Sequence, residues 1–258
     1  MQVHRDSLLS QTALLKAARD QWKAGRFDQA RAVLVAARRG AAAQDHAIAL
    51  AEWAYGAGFL APLPGHRVTL VRRSPAHLAF VRAAWVDRGF MERFHRFALP
   101  LPADDAALAA VLANESRATL LDSRHLHWAI VSASTGQPVG LASLAEVALQ
   151  HRRAEFIVGV RDAAPGAALE ASLLMLEFGF RTMRLQKIQA TVYAGNDYAF
   201  TSASHLGFRE EGRLRRHIRD PHNREFVDLC LFGLLADEFY SAANQRLARR
   251  LLGRTLER

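Results

Sequence analysis

The pattern of apolar and polar positions changes along the chain, from purely helical at the start to a mixture of periods in the remainder. Residues up to about Leu60 are rich in Ala and have a helical pattern throughout. The motif Pro62-Leu-Pro64-Gly65 then interrupts this pattern, which indicates a boundary. We therefore expect an all-α segment at 1–62 and a domain of different architecture from residue 66 to about residue 240.

Strands and helices are interleaved in this second part. Short apolar or alternating runs bounded by turn residues predict strands, and apolar residues at three- and four-residue spacing predict helices. The expected strands are Arg67–Arg72, His127–Val131, Val139–Leu144, Ala154–Val160, Gln186–Ala194 and Phe226–Leu234. The expected helices begin at Ser74 (running to about Phe97), Asp104, Leu169, Tyr198 and Ala236. This order predicts an α/β (α+β) fold, closed by a basic amphipathic helix at 241–258.

The N-terminal segment contains a helix–turn–helix signal. Gly25 stands between Trp22 and Phe27 and can end one helix, and Asp28 lies in the first turn of the next. The order resembles the turn of a tetratricopeptide repeat, and residues 53–59 repeat its first half. Only about one and a half repeats fit, whereas roughly three are needed to bury the repeat faces. We expect this segment to pack on the rest of the chain, with docking of a protein partner as the alternative.

Composition narrows the class of protein. Half of the 258 residues are apolar and 23% are charged, which is typical of a globular chain and excludes wholesale disorder. One Cys cannot form an internal disulfide, and there is no apolar run of membrane-spanning length and no signal-peptide core. We therefore expect a soluble cytoplasmic protein. The 34 basic against 25 acidic residues give a net charge of +9, which favours phosphate-bearing partners.

A loop of small residues leads into the helix at Leu169. In this loop, Gly166 and Ala168 leave room for close approach to the backbone. The start of a helix has unpaired backbone N–H groups and the positive end of the helix dipole, so it suits a pyrophosphate. Small residues at a helix start are also a common packing device, and the loop alone does not decide between these roles.

The order of motifs from about His66 to Tyr240 resembles the GNAT superfamily of acyl-CoA-dependent N-acyltransferases. The likeness is greatest to the branch of ribosomal-protein and sugar-amine N-acetyltransferases. The matching stretches are Glu155-Phe-Ile-Val158-Gly-Val160, Gly166-Ala-Ala168, Leu176-Glu-Phe-Gly-Phe180, Asn196-Asp-Tyr-Ala199, Leu206-Gly207-Phe208 and Phe226-Val-Asp228 with Gly233-Leu-Leu235. The resemblance implies a mixed, strongly twisted sheet flanked by helices and split in a V between its fourth and fifth strands.

The resemblance also implies a site for acetyl-CoA or another acyl-CoA. Backbone groups at Val158 and Val160 are expected to pair with pantetheine, and Asn196 to cap its helix and hydrogen-bond the donor. The residues expected at the phosphates are Gly166, Ala167 and Ala168, with Arg161 nearby. The family usually has Gln or Arg where this chain has Ala163, and often a Tyr acid where it has Ala203. These departures leave the phosphate contacts and the general acid open.

Transfer to an amine requires a base for the ammonium proton and an acid for the leaving thiolate. Glu155 is the first candidate for the base, with a surface role at the end of a strand as the alternative. Tyr193 and Tyr198 are the candidate acids, with packing as the alternative, and Ser202 is a weaker one. We expect no metal: His125 and His127 share a strand face, but no third ligand stands at a useful spacing.

These observations predict an enzyme that moves an acyl group, most simply acetyl, from acyl-CoA to a primary amine of a small metabolite, an amino sugar or a protein N-terminus. A longer acyl-CoA or an acyl carrier protein is an alternative donor, and a non-catalytic scaffold is an alternative function. The basic run from Arg213 to Arg219 can bind an acidic acceptor or simply face solvent. A homodimer stays open, and no nucleic-acid motif is present.

Overall fold

The computed structural model describes residues 2–40, 46–95, 98–121, 123–161, 165–220 and 224–258. The helices are α1 (Gln2–Lys23), α2 (Phe27–Gly40), α3 (His46–Ala54), α4 (Leu78–Val86), α5 (Arg88–Phe94), α6 (Asp105–Arg117), α7 (Ala167–Glu177), α8 (Asp197–His205), α9 (Ala236–Phe239) and α10 (Ala242–Leu252). The strands are β1 (Leu63–Pro64), β2 (Val68–Arg72), β3 (Leu126–Ser132), β4 (Pro138–Ala148), β5 (Arg153–Val160), β6 (Lys187–Tyr193), β7 (Arg209–Arg219) and β8 (Phe226–Leu235).

All eight strands form one mixed sheet in the order β1-β2-β3-β4-β5-β6-β8-β7. Neighbouring strands are antiparallel except β5 and β6, which run parallel and pair only over Arg153–Glu155 and Lys187–Gln189. Beyond these residues the two strands separate, which produces the expected V. The V lies between the fifth and sixth strands of the structure. These are the expected fourth and fifth strands, because the two-residue strand β1 was not predicted and shifts the numbering by one.

Helices cover both faces of the sheet. On one face α7 packs against the apolar side chains of β2 to β6 and forms the main core, which includes Leu126, Trp128 and Ile188. The other face is covered by α4, α5 and α6 through a separate cluster around Phe90, Leu112 and Leu141. The sheet therefore has the two covered faces that an α/β arrangement needs.

Three expected elements differ in the structure. The C-terminal helix expected from Ala236 is divided before the N-cap Ser241 and ends at Leu252, ahead of Gly253 with a φ of +66°. The single helix expected from Ser74 is divided at Asp87, whose Oδ1 accepts a hydrogen bond from the Phe90 N–H and starts α5. The expected end of that helix at Phe97 lies outside the described residues. The basic run from Arg209 to Arg219 is strand β7, whose side chains are mostly exposed, as expected for a strand at the edge of a sheet.

The N-terminal helices have their own small core. Trp22 stacks on Tyr55 with ring centroids 4.5 Å apart, and Phe27 meets the Trp22 ring edge-on at 4.7 Å. The Trp22 indole N–H donates to the backbone oxygen of Arg117 at the end of α6, over 2.6 Å. The expected turn is present, with Gly25 at a φ of +77°. This segment therefore packs on the rest of the chain.

Within the described residues, no helix combines the length and apolarity needed to cross a membrane.

Candidate active site

A cavity of about 640 Å³ opens where β5 and β6 separate. Its walls are the diverging halves of these strands, the start of α8, and α5 lying across the sheet face. Eight residues expected at the site line it: Glu155, Val158, Val160, Ala168, Tyr193, Asn196, Tyr198 and the weaker candidate Ser202. Arg161, Gly166 and Ala167 do not line it. The fold thus brings together most of the predicted site, from four separate parts of the chain.

Glu155 lies at the apex of the V. It is opposite Gln189 in the last paired position of β5 and β6, and opposite Ala145 on the β4 side. The side chain is half-buried and makes no ion pair with any residue that the structure describes. A carboxylate in this position is available to accept a proton from a group held in the cavity.

The unpaired half of β5 forms one wall of the cavity. Val158 and Val160 pair with β4 on one side and have no strand partner on the other, because β6 has moved away. A side chain at Gly159 would clash with Phe94, since an added Cβ would lie 2.6 Å from Phe94 Cδ2. This close approach lets α5 cover the strand. The free edge of β5 can therefore form hydrogen bonds to an extended ligand lying in the V.

Beside the cavity, α7 begins at Gly166, which has a φ of +86°. Ala167 and Ala168 form the first turn, and an added Cβ at Gly166 would meet only ordinary contacts, at 3.5 Å or more. The start of a helix is a general anion site, and a phosphate at this one stays a prediction. Ala163, the expected departure from the family pattern, lies outside the described residues.

An ion pair that sequence reasoning missed lies at the same helix start. Arg67 Nη1 is 3.2 Å from Oε2 of Glu170, whose side chain is fully buried in the second turn region of α7. Glu170 also accepts the backbone N–H groups of Arg67 and Val68, over 2.7 and 3.3 Å. The carboxylate therefore anchors the entry to β2 against α7. An isolated Glu inside an apolar helix face was the only sequence signal for it.

Arg161 forms an ion pair at the end of β5. Its Nε lies 2.8 Å from Oδ2 of Asp87, the residue that caps α5. This ion pair ties the end of β5 to the helix that covers the cavity. A contact of Arg161 with phosphate stays a prediction.

Asn196 caps α8, because its Oδ1 accepts the Ala199 N–H at 3.2 Å. Its amide nitrogen lies 3.5 Å from the backbone oxygen of Arg93, so it also links α8 to α5. The expected capping role is present, and a hydrogen bond to the donor stays a prediction.

Of the two candidate acids, Tyr193 is half-buried and Tyr198 is largely exposed.

A group of histidines lines the opposite end of the cavity. His125 and His127 stack in parallel with centroids 6.1 Å apart, and His127 Nδ1 is 2.8 Å from the Ser143 hydroxyl. Burial, together with the nearby charge of Arg73, lowers the pKa of His127 from 6.5 to about 3. The sequence placed both histidines on one face but gave no sign that the face borders the cavity. No cluster of metal-ligating side chains occurs among the described residues.

Comparisons with known proteins agree with this architecture. A family model described as an acetyltransferase (GNAT) domain matches residues 67–209, more than half of the chain. The chain belongs to the GNAT acetyltransferase family. Its expected fold, its membership among the GNAT-type transferases and acetyl-CoA as the donor of that family are confirmed.

Several relatives carry more particular names. Spermidine N(1)-acetyltransferase of Escherichia coli K12 is 32% identical over 100 residues, which cover 38% of this chain and 54% of that protein. The match spans about half the length of this curated relative. The structure of Vibrio cholerae spermidine N-acetyltransferase in complex with CoA and spermine has a TM-score of 0.59 at 22% identity, over 68% of this chain and 99% of the other. A GCN5-related N-acetyltransferase from Brucella melitensis has a TM-score of 0.58 at 22% identity, over 72% and 83%. These two structures show the shared fold.

Proposed function

We propose that this chain is an N-acetyltransferase that moves an acetyl group from acetyl-CoA to a primary amine of a small metabolite. One observation carries the proposal: the carboxylate of Glu155, which forms no ion pair with any described residue, lies at the apex of a V whose free strand edge and adjoining helix start suit the donor. The thioester, when bound, supplies the activated acetyl group. The chain's own residues have to orient the thioester, accept a proton from the acceptor's ammonium group and donate a proton to the departing thiolate.

The donor fits the described residues in one orientation. An extended pantetheine chain matches the free edge of β5 from Val160 toward Phe156, where backbone groups have no strand partner. Its phosphates then lie toward Gly166 and Ala168, at the positive end of α7. This orientation directs the thioester toward Glu155.

The proton steps follow from the same placement. Glu155 accepts the proton of the incoming ammonium group, directly or through water, and so leaves a neutral amine to attack the carbonyl carbon. A backbone N–H on the free edge of β5 donates to the carbonyl oxygen as negative charge develops there. Tyr193 or Tyr198, which both line the cavity, donates a proton to the departing thiolate as the C–S bond breaks, and the second proton lost by the attacking nitrogen restores that tyrosine.

The division of the chain stays part of the proposal. Residues 66–240 carry every residue assigned to the reaction, and the helices of 1–62 have a separate apolar cluster around Trp22. The segment 241–258 contributes α10, whose Leu251 lies beside Gly166 and so supports the start of α7. These contacts support an acyltransferase domain flanked by two parts that pack against it.

Calorimetric titration with acetyl-CoA, CoA and a long-chain acyl-CoA tests the donor. Acetyl-CoA is expected to bind in the micromolar range, and release of free CoA on adding amines, spermidine included, then tests the reaction. Tighter binding of the long-chain donor would favour a longer acyl group. No binding of any CoA species would contradict the proposal and favour an acyl carrier protein or a scaffold.

A further inference from the structure

The far end of the cavity, away from the start of α7, has a distinct chemistry. Its polar lining consists mainly of three imidazoles and a hydroxyl, which we call the histidine subsite: His95, His125, His127 and Ser143. None of these residues takes part in the steps proposed above. Their place beside Glu155 identifies them with the acceptor end of the cavity.

Strand register fixes the distance between the subsite and the candidate base. His127, Ser143 and Ile157 lie opposite one another on β3, β4 and β5, and Ala145 lies opposite Glu155 two residues along. Residues two apart on a strand point to the same face, and diagonal neighbours on adjacent strands are roughly 7–8 Å apart. A small acceptor whose amine is at Glu155 therefore extends over Ser143, and His127 lies one strand further along the same face.

The subsite is uncharged but rich in hydrogen-bonding groups. The lowered pKa of His127 keeps its imidazole neutral, with one nitrogen at the Ser143 hydroxyl and the other available as donor or acceptor. His95 Nδ1 is buried and has no hydrogen-bond partner among the described residues. Because this nitrogen is shielded from the cavity as well as from solvent, the contacts to the acceptor are assigned to His127 and Ser143.

Among the described residues, this end of the cavity has no unpaired carboxylate for a second ammonium group. Apart from Glu155, the described carboxylate in the cavity lining is Glu146, which lies 2.6 Å from Arg124 Nη2 and 3.6 Å from His125 Nε2. The guanidinium groups of Arg72 and Arg73 are close enough to His127 to disfavour its protonation. A second positive charge on the acceptor would meet this field without a free counter-charge.

We propose that the histidine subsite binds hydroxyl groups of the acceptor, so that the substrate class is a hydroxylated primary amine with one positive charge, such as an amino sugar, and not a polyamine. The inference rests on the acetyltransferase function proposed above. It assigns specificity to residues that do not carry out the proton steps.

The first test compares acceptors with the full-length protein and acetyl-CoA, by release of free CoA. Glucosamine is expected to have a kcat/KM at least about tenfold above that of spermidine, and also above that of cyclohexylamine. Preference for spermidine or for the amine without hydroxyls would overturn the subsite assignment while leaving the acetyltransferase function intact. Absence of CoA release with every amine would overturn both.

The second test determines whether the histidine subsite recognises hydroxyl groups of the acceptor. In Ser143→Ala the ratio of kcat/KM for glucosamine to that for cyclohexylamine is expected to fall about tenfold, because a hydrogen-bonding partner is removed. The control is Ser132→Ala, since Ser132 is on the same sheet but its hydroxyl bonds Ser134 outside the cavity. His127→Gln repeats the test if Ser143→Ala is poorly folded. An unchanged ratio in the folded variant would overturn the proposal.

Discussion

Glu155 lies opposite Gln189 in the last paired position between β5 and β6. Gln189 is itself held by Arg153, whose Nη1 lies 3.2 Å from Gln189 Oε1, so both strands are fixed just before they separate. The carboxylate is therefore placed where parallel pairing ends and the cavity begins. This one relationship accounts for both the shape of the site and the position of its candidate base.

The first prediction concerns Glu155→Gln. This change keeps the size of the side chain but removes the proton acceptor, so kcat is expected to fall about a hundredfold near pH 7. The affinity for acetyl-CoA is expected to stay the same, because the carboxylate is not assigned to donor binding. The deficit should narrow as pH rises, since more of the amine then arrives already neutral.

Steady-state rates across pH and calorimetry with acetyl-CoA measure the two effects of this change separately. Unchanged kcat in a variant that binds acetyl-CoA normally would remove Glu155 from the mechanism. The matched control is the double variant Glu155→Gln/Gln189→Glu, in which the carboxylate stands on the opposite strand beside Arg153. Its kcat is expected to stay as low as that of Glu155→Gln.

The second prediction concerns the phosphate end. Gly166→Asp is expected to weaken acetyl-CoA binding at least about tenfold more than Gly166→Asn. Both variants place a similar side chain at a φ of +86°, which Asn and Asp tolerate better than other residues with a Cβ, so they share the backbone strain and differ in charge. Calorimetry on the two folded variants gives the comparison. Equal affinities would show that no phosphate lies near Gly166.

Much of the fold could be predicted because local patterns decide it. The alternation of Ile188, Ala190 and Val192 marked β6, and the structure buries all three. The turn at Gly136, with a φ of +68°, joins β3 and β4 as the sequence indicated. Motif order then placed the V between the right pair of strands.

The acceptor end could not be predicted from local patterns. His95 and Ser143 lie on separate elements, and only the packing of α5 and the register of β3 and β4 bring them to one cavity. Long-range packing and register, not local pattern, bring these two residues together. Strand β7 was not predicted for a different reason, because its Arg-rich sequence lacks the apolar alternation of a buried strand.

The third prediction uses the pKa of His127, which is lowered to about 3 by burial and by the neighbouring charges of Arg73, His125, Arg72 and His95. The unfolded chain, with the ordinary value of 6.5, binds this proton more readily, so protonation below pH 6.5 favours unfolding. Between pH 7 and pH 5 this group is expected to lower the free energy of unfolding by about 2 kcal/mol.

Urea unfolding of the wild type and His127→Gln at both pH values isolates this contribution to stability. The variant is expected to lose less stability on acidification, and the difference between the two proteins is the quantity of interest. Parallel losses in both proteins would contradict a neutral, buried His127.

The fourth prediction concerns Glu170 and Arg67. Glu170→Ala is expected to lower the free energy of unfolding by about 3 kcal/mol, because it leaves two backbone N–H groups without their acceptor and removes the partner of Arg67. Arg67→Ala is expected to cost about 1 kcal/mol, since 41% of the Arg67 side chain is exposed and solvent screens its charge. Chemical denaturation measures both. A larger effect for Arg67→Ala would show that the ion pair, not the backbone hydrogen bonds, stabilises this junction.

The last prediction concerns the N-terminal helices. Trp22 is fully buried between Tyr55, Phe27 and the end of α6, so Trp22→Ala is expected to lower the free energy of unfolding by about 3–5 kcal/mol. Trp22→Phe keeps an aromatic ring, but a smaller one than indole, and loses the hydrogen bond to the Arg117 backbone oxygen, so its cost should be nearer about 2 kcal/mol. Because these contacts join the two parts, both variants should unfold in one transition followed by fluorescence and circular dichroism. A separate early transition of the helices in the wild type would instead favour a module that folds alone and is free to dock a partner.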